Sequence, residues 1–171
     1  MTTQITLSPV DGRVYVERTL ATPVQIEAAL ESARLAQRVW REVAMAERAA
    51  ILSRFCDAFE SHGDAIAEEL TWQMGRPLRY APSEVRGTLE RARHMIATAP
   101  AALADIDVGP KAGFHRFLRR EPLGVVFTVA AWNYPYLIAV NSVVPALMAG
   151  NVVVLKHSAQ TPLCAERFEE C

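Results

Sequence analysis

Between Glu121 and Lys156 the chain carries no charged residue, and this feature limits its fold more than any other. Such a stretch either crosses a membrane or is buried in protein. Asn133-Tyr134-Pro135, Asn141, Pro145 and Gly150-Asn151 interrupt it, so no apolar segment approaches the roughly 20 residues that a membrane helix needs. Burial in protein remains, and the pattern says how. Val125-Val126-Phe127-Thr128-Val129-Ala130-Ala131 and Val152-Val153-Val154-Leu155-Lys156 are apolar at successive positions, which predicts parallel strands buried on both faces. An apolar helix through Ala149 supplies the crossover, so 125–156 reads as one βαβ unit. Two strands with one crossover cannot by themselves build the covered sheet that this two-sided apolarity demands.

In a parallel unit both strands point the same way, and ligands of open α/β sheets bind beyond the shared C-terminal edge. Asn133 lies just past the first strand and Lys156 closes the second, so the fold brings both to one crevice. A neutral amide suits oxyanion charge that develops in a transition state, and an ammonium suits ribose hydroxyls or phosphates. Each position also has a plainer reading: asparagine as a turn residue or cap, lysine as a solvated strand end, Trp132 as packing. No Gly-x-Gly-x-x-Gly follows the first strand, so the usual dinucleotide fingerprint is missing.

The first hundred residues read as mostly helical. Ile5-Thr6-Leu7 and Val14-Tyr15-Val16 flank the turn signal Pro9-Val10-Asp11-Gly12 and predict a hairpin. Thr22-Pro23-Val24-Gln25 combines a cap, a proline at the first helical position and a capping-box glutamine, with Ile26, Ala29, Leu30, Ala33, Ala36 and Trp40 on the expected inner face. A second helix, with Ile51, Leu52, Phe55, Phe59 and His62 on one face, is expected to end at Gly63. Asp64 then caps a third that stops at Gly75-Arg76-Pro77, and a fourth runs from Ser83 to Pro100. Segment 101–113 reads as loose, and Phe114 to Arg120 as an edge strand protected by its arginines. Thr161-Pro162 starts a further helix.

A formal net charge of -1 with 22% charged residues gives no electrostatic reason to expect nucleic acid or an anionic membrane as partner. Met1 to Val14 carry neither a basic n-region nor an apolar h-region, so the expected compartment is the cytoplasm. Cys56, Cys164 and Cys171 are too few and too scattered for a disulfide framework or a metal site, and are expected to be small buried or half-buried thiols.

Several spaced words carry a resemblance. Glu121-Pro122-Leu123-Gly124-Val125-Val126, Trp132-Asn133-Tyr134-Pro135, Pro145-Ala146-Leu147, Ala149-Gly150-Asn151 leading into Val152 to Lys156, and Gln160-Thr161-Pro162-Leu163 stand in the order and spacing of the aldehyde dehydrogenase superfamily. Met74-Gly75-Arg76-Pro77-Leu78 resembles the family's Gly-Lys-Pro-Leu turn. The resemblance implies an α/β fold in which a helical N-terminal region leads into the first βαβ unit of a parallel Rossmann-like NAD(P)-binding sheet. It divides the chain into a hairpin and helical region over 1–113, a bridging strand of oligomerisation type over 114–122, and the βαβ unit with the start of the next helix over 123–171.

The resemblance also implies roles. Asn133 matches the family's oxyanion-hole asparagine, and Lys156 the lysine on the adenosine ribose of NAD or NADP. Val129, Ala130, Ala131 and Trp132 match the strand end along which the cofactor lies, with Ala159 and Gln160 beside it. Tyr134, Leu137, Ile138 and Asn141 match one wall of the substrate funnel. The complete enzyme would oxidise an aldehyde, either a semialdehyde or a broad range of aliphatic and aromatic aldehydes, to a carboxylic acid through a cysteine thioester, as a homodimer or homotetramer. The family's nucleophilic cysteine and general-base glutamate belong far downstream of Gln160, so the chain is expected to be an N-terminal fragment, inactive alone. His157 stands where proline is common, and Ala159 where an acidic residue is frequent in members that prefer NAD, which predicts use of NADP at least comparable to NAD. The alternatives are a non-catalytic remnant that binds nucleotide or pairs with another subunit, and a helical interaction module.

Overall fold

The hairpin forms where the turn signal places it. In the computed structural model, which describes residues 2–171, Thr3–Leu7 (β1) and Val14–Thr19 (β2) pair antiparallel around Gly12 at a φ of 75°. Pro23–Trp40 forms the first helix (α1). The Thr22 hydroxyl accepts from the Gln25 backbone N–H at 3.3 Å, and the Gln25 side-chain oxygen accepts from the Thr22 N–H at 2.9 Å, a reciprocal capping box.

Met45–Ser61 (α2) and Gly63–Met74 (α3) follow, joined through His62 alone. Gly63 therefore opens α3 instead of ending α2, and Asp64 stands in the first turn without capping it. His62, at φ -90° and ψ 5°, makes the change of direction by itself, and no left-handed residue is needed. Asp64 still places negative charge near the positive end of the helix dipole. Gly75 does end α3, at φ 75°, with its N–H donating to Thr71 O at 2.9 Å.

Ala81–Leu103 (α4) begins two residues before the expected start and passes through Pro100. Pro82 occupies the first turn, where no N–H is required. Pro100 forfeits a ladder bond only in the last turn. The segment beyond it is less loose than expected: Ile106–Asp107 (β3) pairs antiparallel with Phe117–Leu118 (β4) as an exposed ribbon. The arginines of the ribbon bind it instead of solvent alone. Arg119 pairs with Asp105 at 3.0 Å, Arg120 donates to Ala104 O at 2.7 Å and Arg116 to Gly109 O at 3.0 Å.

Val125–Ala130 (β5), Pro135–Met148 (α5) and Val152–His157 (β6) make the βαβ unit, with the strands parallel from Val125↔Val152 to Ala130↔His157. Leu163–Glu170 (α6) closes the described chain. The core lies among α2, α3, α4 and α5, where Phe59, Ile66, Leu70, Tyr136, Val140 and Val144 are fully buried. The Phe59 and Tyr136 rings meet edge to face at 5.2 Å.

Burial of β5 on both faces does not occur. Thr128 and Ala130 are buried, while Phe127 and Val129 are each 62% exposed. Among the described residues, the main cover on the second face comes from α1, which packs chiefly against β6. Even α1 seats only one side of its expected inner face: Ile26, Ala29 and Ala36 are exposed, and Gln37 is buried in their place. Gln37 Nε2 donates to Gly150 O at 3.3 Å and Trp40 Nε1 to Leu147 O at 2.9 Å, so polar bonds to the α5–β6 turn hold the contact. No helix among the described residues is long and apolar enough to cross a membrane.

Candidate functional site at the strand ends

The register pairs Val129 with Lys156, so β5 and β6 finish at one edge of the sheet, and the loop carrying Asn133 leaves that edge. Ala131, Trp132, Asn133 and Tyr134 are all exposed there, and Pro135 starts α5. Lys156 is exposed, with its ammonium donating to His157 O at 3.1 Å. Asn133 and Lys156 thus share an end, as the parallel pairing requires. The side-chain amide of Asn133 takes no hydrogen bond among the described residues, whereas its backbone carbonyl accepts from Arg76 at 2.7 Å.

The other expected site residues divide. Val129 and Trp132 present apolar surface at the edge, 62% and 52% exposed. Ala130 is 3% exposed on the helix-covered face and can meet a ligand only through its backbone. Ala159 is exposed, and its carbonyl accepts from Thr6 Oγ1 at 2.7 Å, so the N-terminal hairpin grips this loop. The Gln160 amide donates to Gln73 O, and Leu163 N donates to Gln73 Oε1 at 2.9 Å. Gln160 is therefore a strut between α3 and the β6–α6 loop. With Leu7, Ser8, Pro9, Met74 and Trp132 it also bounds a recess of about 340 Å³. Tyr134, Ile138 and Asn141 are exposed at spacings of four and three, one stripe along α5. Leu137 is half-buried and lies toward α4, with Gly87 as a close neighbour. The Asn141 amide donates to Leu137 O at 2.7 Å.

Two neighbours of this edge escape a reading of motifs. Glu84, its side chain wholly buried, accepts from the N–H groups of Tyr136 at 3.0 Å and Leu137 at 3.5 Å, and forms an ion pair with Arg76. Arg76 also lies 4.4 Å above the Tyr134 ring. Burial raises the Glu84 carboxyl above the usual carboxylate range, and the Arg76 charge opposes that rise. The available signal is an acid set within the apolar face of α4, beside Val85 and one turn from Thr88, with an arginine in the preceding turn.

Burial disfavours the thiolate form of the three cysteines. Cys56, Cys164 and Cys171 all have pKa values raised, first by burial, and so hold their protons. His157, 6% exposed and stacked on Phe168 at 6.2 Å, is pushed down to about 4 by burial and by neighbouring Lys156. It is an uncharged filler under the strand end. What remains at the edge is an unengaged amide, an exposed ammonium and a bare apolar strand, a set able to polarise a carbonyl and to hold a ribose.

The profile described as the aldehyde dehydrogenase family matches residues 2–171. The chain is 37% identical over 161 residues to a fluoroacetaldehyde dehydrogenase of Streptantibioticus cattleyicolor, covering 91% of this chain and 31% of that protein. It is 34% identical over 165 residues to succinate-semialdehyde dehydrogenase [NADP(+)] 1 of Mycobacterium tuberculosis, covering 94% and 35%. A solved NAD-dependent benzaldehyde dehydrogenase from Corynebacterium glutamicum superposes with a TM-score of 0.89 at 30% identity, covering 99% of this chain and 38% of that one. The chain thus spans about a third of the length of these relatives.

Proposed function

The chain belongs to the aldehyde dehydrogenase family, and from that premise we propose that it forms the carbonyl-polarising edge and part of the cofactor floor of an NAD(P)-dependent enzyme that oxidises an aldehyde to a carboxylic acid. The observation that carries this reading is the parallel register of β5 and β6, with the free Asn133 amide and the exposed Lys156 at one edge. The relatives named for NADP and for NAD support the cofactor assignment.

The residues present fit such a cofactor. Lys156 has given one donor to a neighbouring carbonyl and keeps the rest of its ammonium exposed, beside bare Val129 and Ala159. When bound, the nicotinamide supplies the two-electron acceptor. Asn133 donates to the aldehyde oxygen as negative charge builds there, a bond that strengthens toward the transition state. Lys156 donates to ribose hydroxyls. Ala159 places no carboxylate where it would repel a 2′-phosphate, so NADP is accepted at least comparably to NAD. Trp132, Ala131 and the backbone of Ala130 continue the floor, and Gln160 holds the loop that carries Ala159.

Tyr134, Ile138 and Asn141 form one wall of the aldehyde's approach, with Leu137 behind them against α4. Ring, aliphatic chain and amide together suit a small aldehyde, a semialdehyde included. Burial raises the pKa of Cys56, Cys164 and Cys171, which weighs against each as the nucleophilic thiolate, and in this reading the 171-residue chain alone oxidises no aldehyde. Residues 1–113 act as the helical base of the cofactor-binding region, 114–122, with strand at Phe117–Leu118, as a bridging segment and 123–171 as the βαβ floor. The exposed apolar residues Phe114, Phe117 and Leu118 suit contact with a second subunit, in a homodimer or homotetramer.

Kinetics of a subunit of full family length carrying this sequence test the assignment. Lys156→Met is expected to raise the KM for cofactor about tenfold, the loss of one charge-assisted bond, with little change in kcat. Asn133→Ala is expected to lower kcat and leave the cofactor KM unchanged. If both substitutions move the same constant, the two residues do not act separately, one on the carbonyl and the other on the cofactor.

A further inference from the structure

The loop that bears Asn133 is held from below by two side chains that touch neither an aldehyde nor a cofactor in this reading. Glu84 reaches up from α4 and accepts from the first-turn N–H groups of Tyr136 and Leu137, at 3.0 and 3.5 Å. Arg76, in the turn after α3, pairs with the second Glu84 oxygen and donates to the Asn133 carbonyl at 2.7 Å. The backbone is thus pinned at Asn133 and again at residues 136–137. Only Tyr134 and Pro135 lie between. Pro135 has its own φ fixed by its ring, and Tyr134 sits under the Arg76 guanidinium. Since the Asn133 amide has no hydrogen bond of its own among the described residues, its aim is set by this backbone.

The pair itself is expensive. Arg76 and Glu84 side chains are 11% and 0% exposed, and a buried ion pair of this kind is often matched or bettered in stability by apolar residues of the same volume. A transition-state donor, by contrast, must be held within about 0.5 Å of its working position. We propose that Arg76 and Glu84 are positioning residues that set the direction of the Asn133 amide through its carbonyl and the first turn of α5. The proposal rests on the reading of Asn133 as the carbonyl-polarising donor.

A double-substitution cycle in a subunit of full family length tests it. Arg76→Gln is expected to lower kcat about tenfold, as a small misplacement of a catalytic group does, with the KM for aldehyde held within about twofold. Arg76→Lys, which keeps the charge and can still reach Glu84, restores most of the rate. In the Asn133→Ala background, Arg76→Gln changes kcat less than about twofold, because the residue through which it acts is gone. Glu84→Gln keeps an acceptor for the Tyr136 and Leu137 N–H groups but breaks the ion pair. It gives a second route if Arg76→Gln folds poorly, with a loss of about threefold or more that again vanishes when Asn133 is alanine. Equal losses in both backgrounds would reduce the pair to a general structural role, and no loss in the parent background would remove the proposal. An unchanged kcat in Asn133→Ala alone strikes the underlying reading instead, and is told apart by that single substitution.

Discussion

The two faces of β5 differ sharply within one strand. Toward α5, Thr128 and Ala130 are 6% and 3% exposed, and the Thr128 hydroxyl meets that of Ser142 at 2.7 Å. On the other face Phe127 and Val129 each keep 62% of their surface open. The closed face continues into the core of α2 to α5 and carries the stability of the chain. The open face and the strand ends beside it carry its unengaged donors. Physical cause separates the two: apolar burial fixes the first region, while the second presents surface that only a ligand or more protein would cover.

The largest expected effect sharpens this contrast directly. Phe59→Ala removes a fully buried ring at the centre of the core and should cost about 3–5 kcal/mol in chemical denaturation. Phe127→Ala on the open face should stay within about 0.5 kcal/mol. A loss above about 2 kcal/mol for Phe127→Ala would break the comparison, since that value belongs to a buried side chain.

A smaller effect comes from His157, which lies under the strand end with no hydrogen-bond partner for either ring nitrogen among the described residues. Its folded pKa is lowered from 6.5 to about 4, so the folded state holds the neutral ring while the unfolded chain takes up a proton below pH 6.5. The stability tied to this group is complete above pH 6.5 and is lost as the pH falls toward 4, by up to about 3 kcal/mol. Unfolding free energies between pH 7.5 and 4.5 measure it. His157→Leu should flatten this part of the profile, and an unchanged slope would mean that the ring takes up its proton equally in the folded and unfolded states.

The smallest effect belongs to the open end. Ala159→Glu should shift the kcat/KM ratio toward NAD by about tenfold, since one like-charge contact with a 2′-phosphate need supply only ~1.4 kcal/mol. Equal kinetics with both cofactors before and after would place the ribose away from Lys156.

Elements with a local chemical signal are legible from the sequence. The capping box at Thr22 and Gln25, the left-handed stop at Gly75 and the two-sided apolar runs each name their structure from adjacent residues. The helix bounds at Gly63, Ser83 and Pro100 differ from the sequence expectation for a shared reason. Glycine and proline mark ends only when their geometry is used, and here Gly63 starts a helix, Pro82 fits a first turn and Pro100 falls in a last one. Burial on both faces of β5 fails because strand composition reports what a strand can bury, not what this length of chain brings to cover it. At the site, Asn133 and Lys156 can be placed together because parallel pairing alone decides that. The Arg76–Glu84 support leaves only a faint sequence signal, an acid within an apolar helix face, because the residues it holds, Asn133, Tyr136 and Leu137, are distant along the chain and meet it only through the packing of α4 on α5; the grip of Thr6 on Ala159 leaves no such signal.

On the proposed reading the open end carries chemistry and the closed core carries stability, and Asn133→Ala tests both halves of that division on one preparation. In a subunit of full family length, kcat should fall about 10²–10³-fold, the loss expected for one oxyanion donor. The melting temperature should move by no more than about 2 °C, because the side chain is exposed and unengaged. A melting temperature lowered by several degrees with kcat within about threefold of the parent would contradict the account and leave Asn133 as a turn residue.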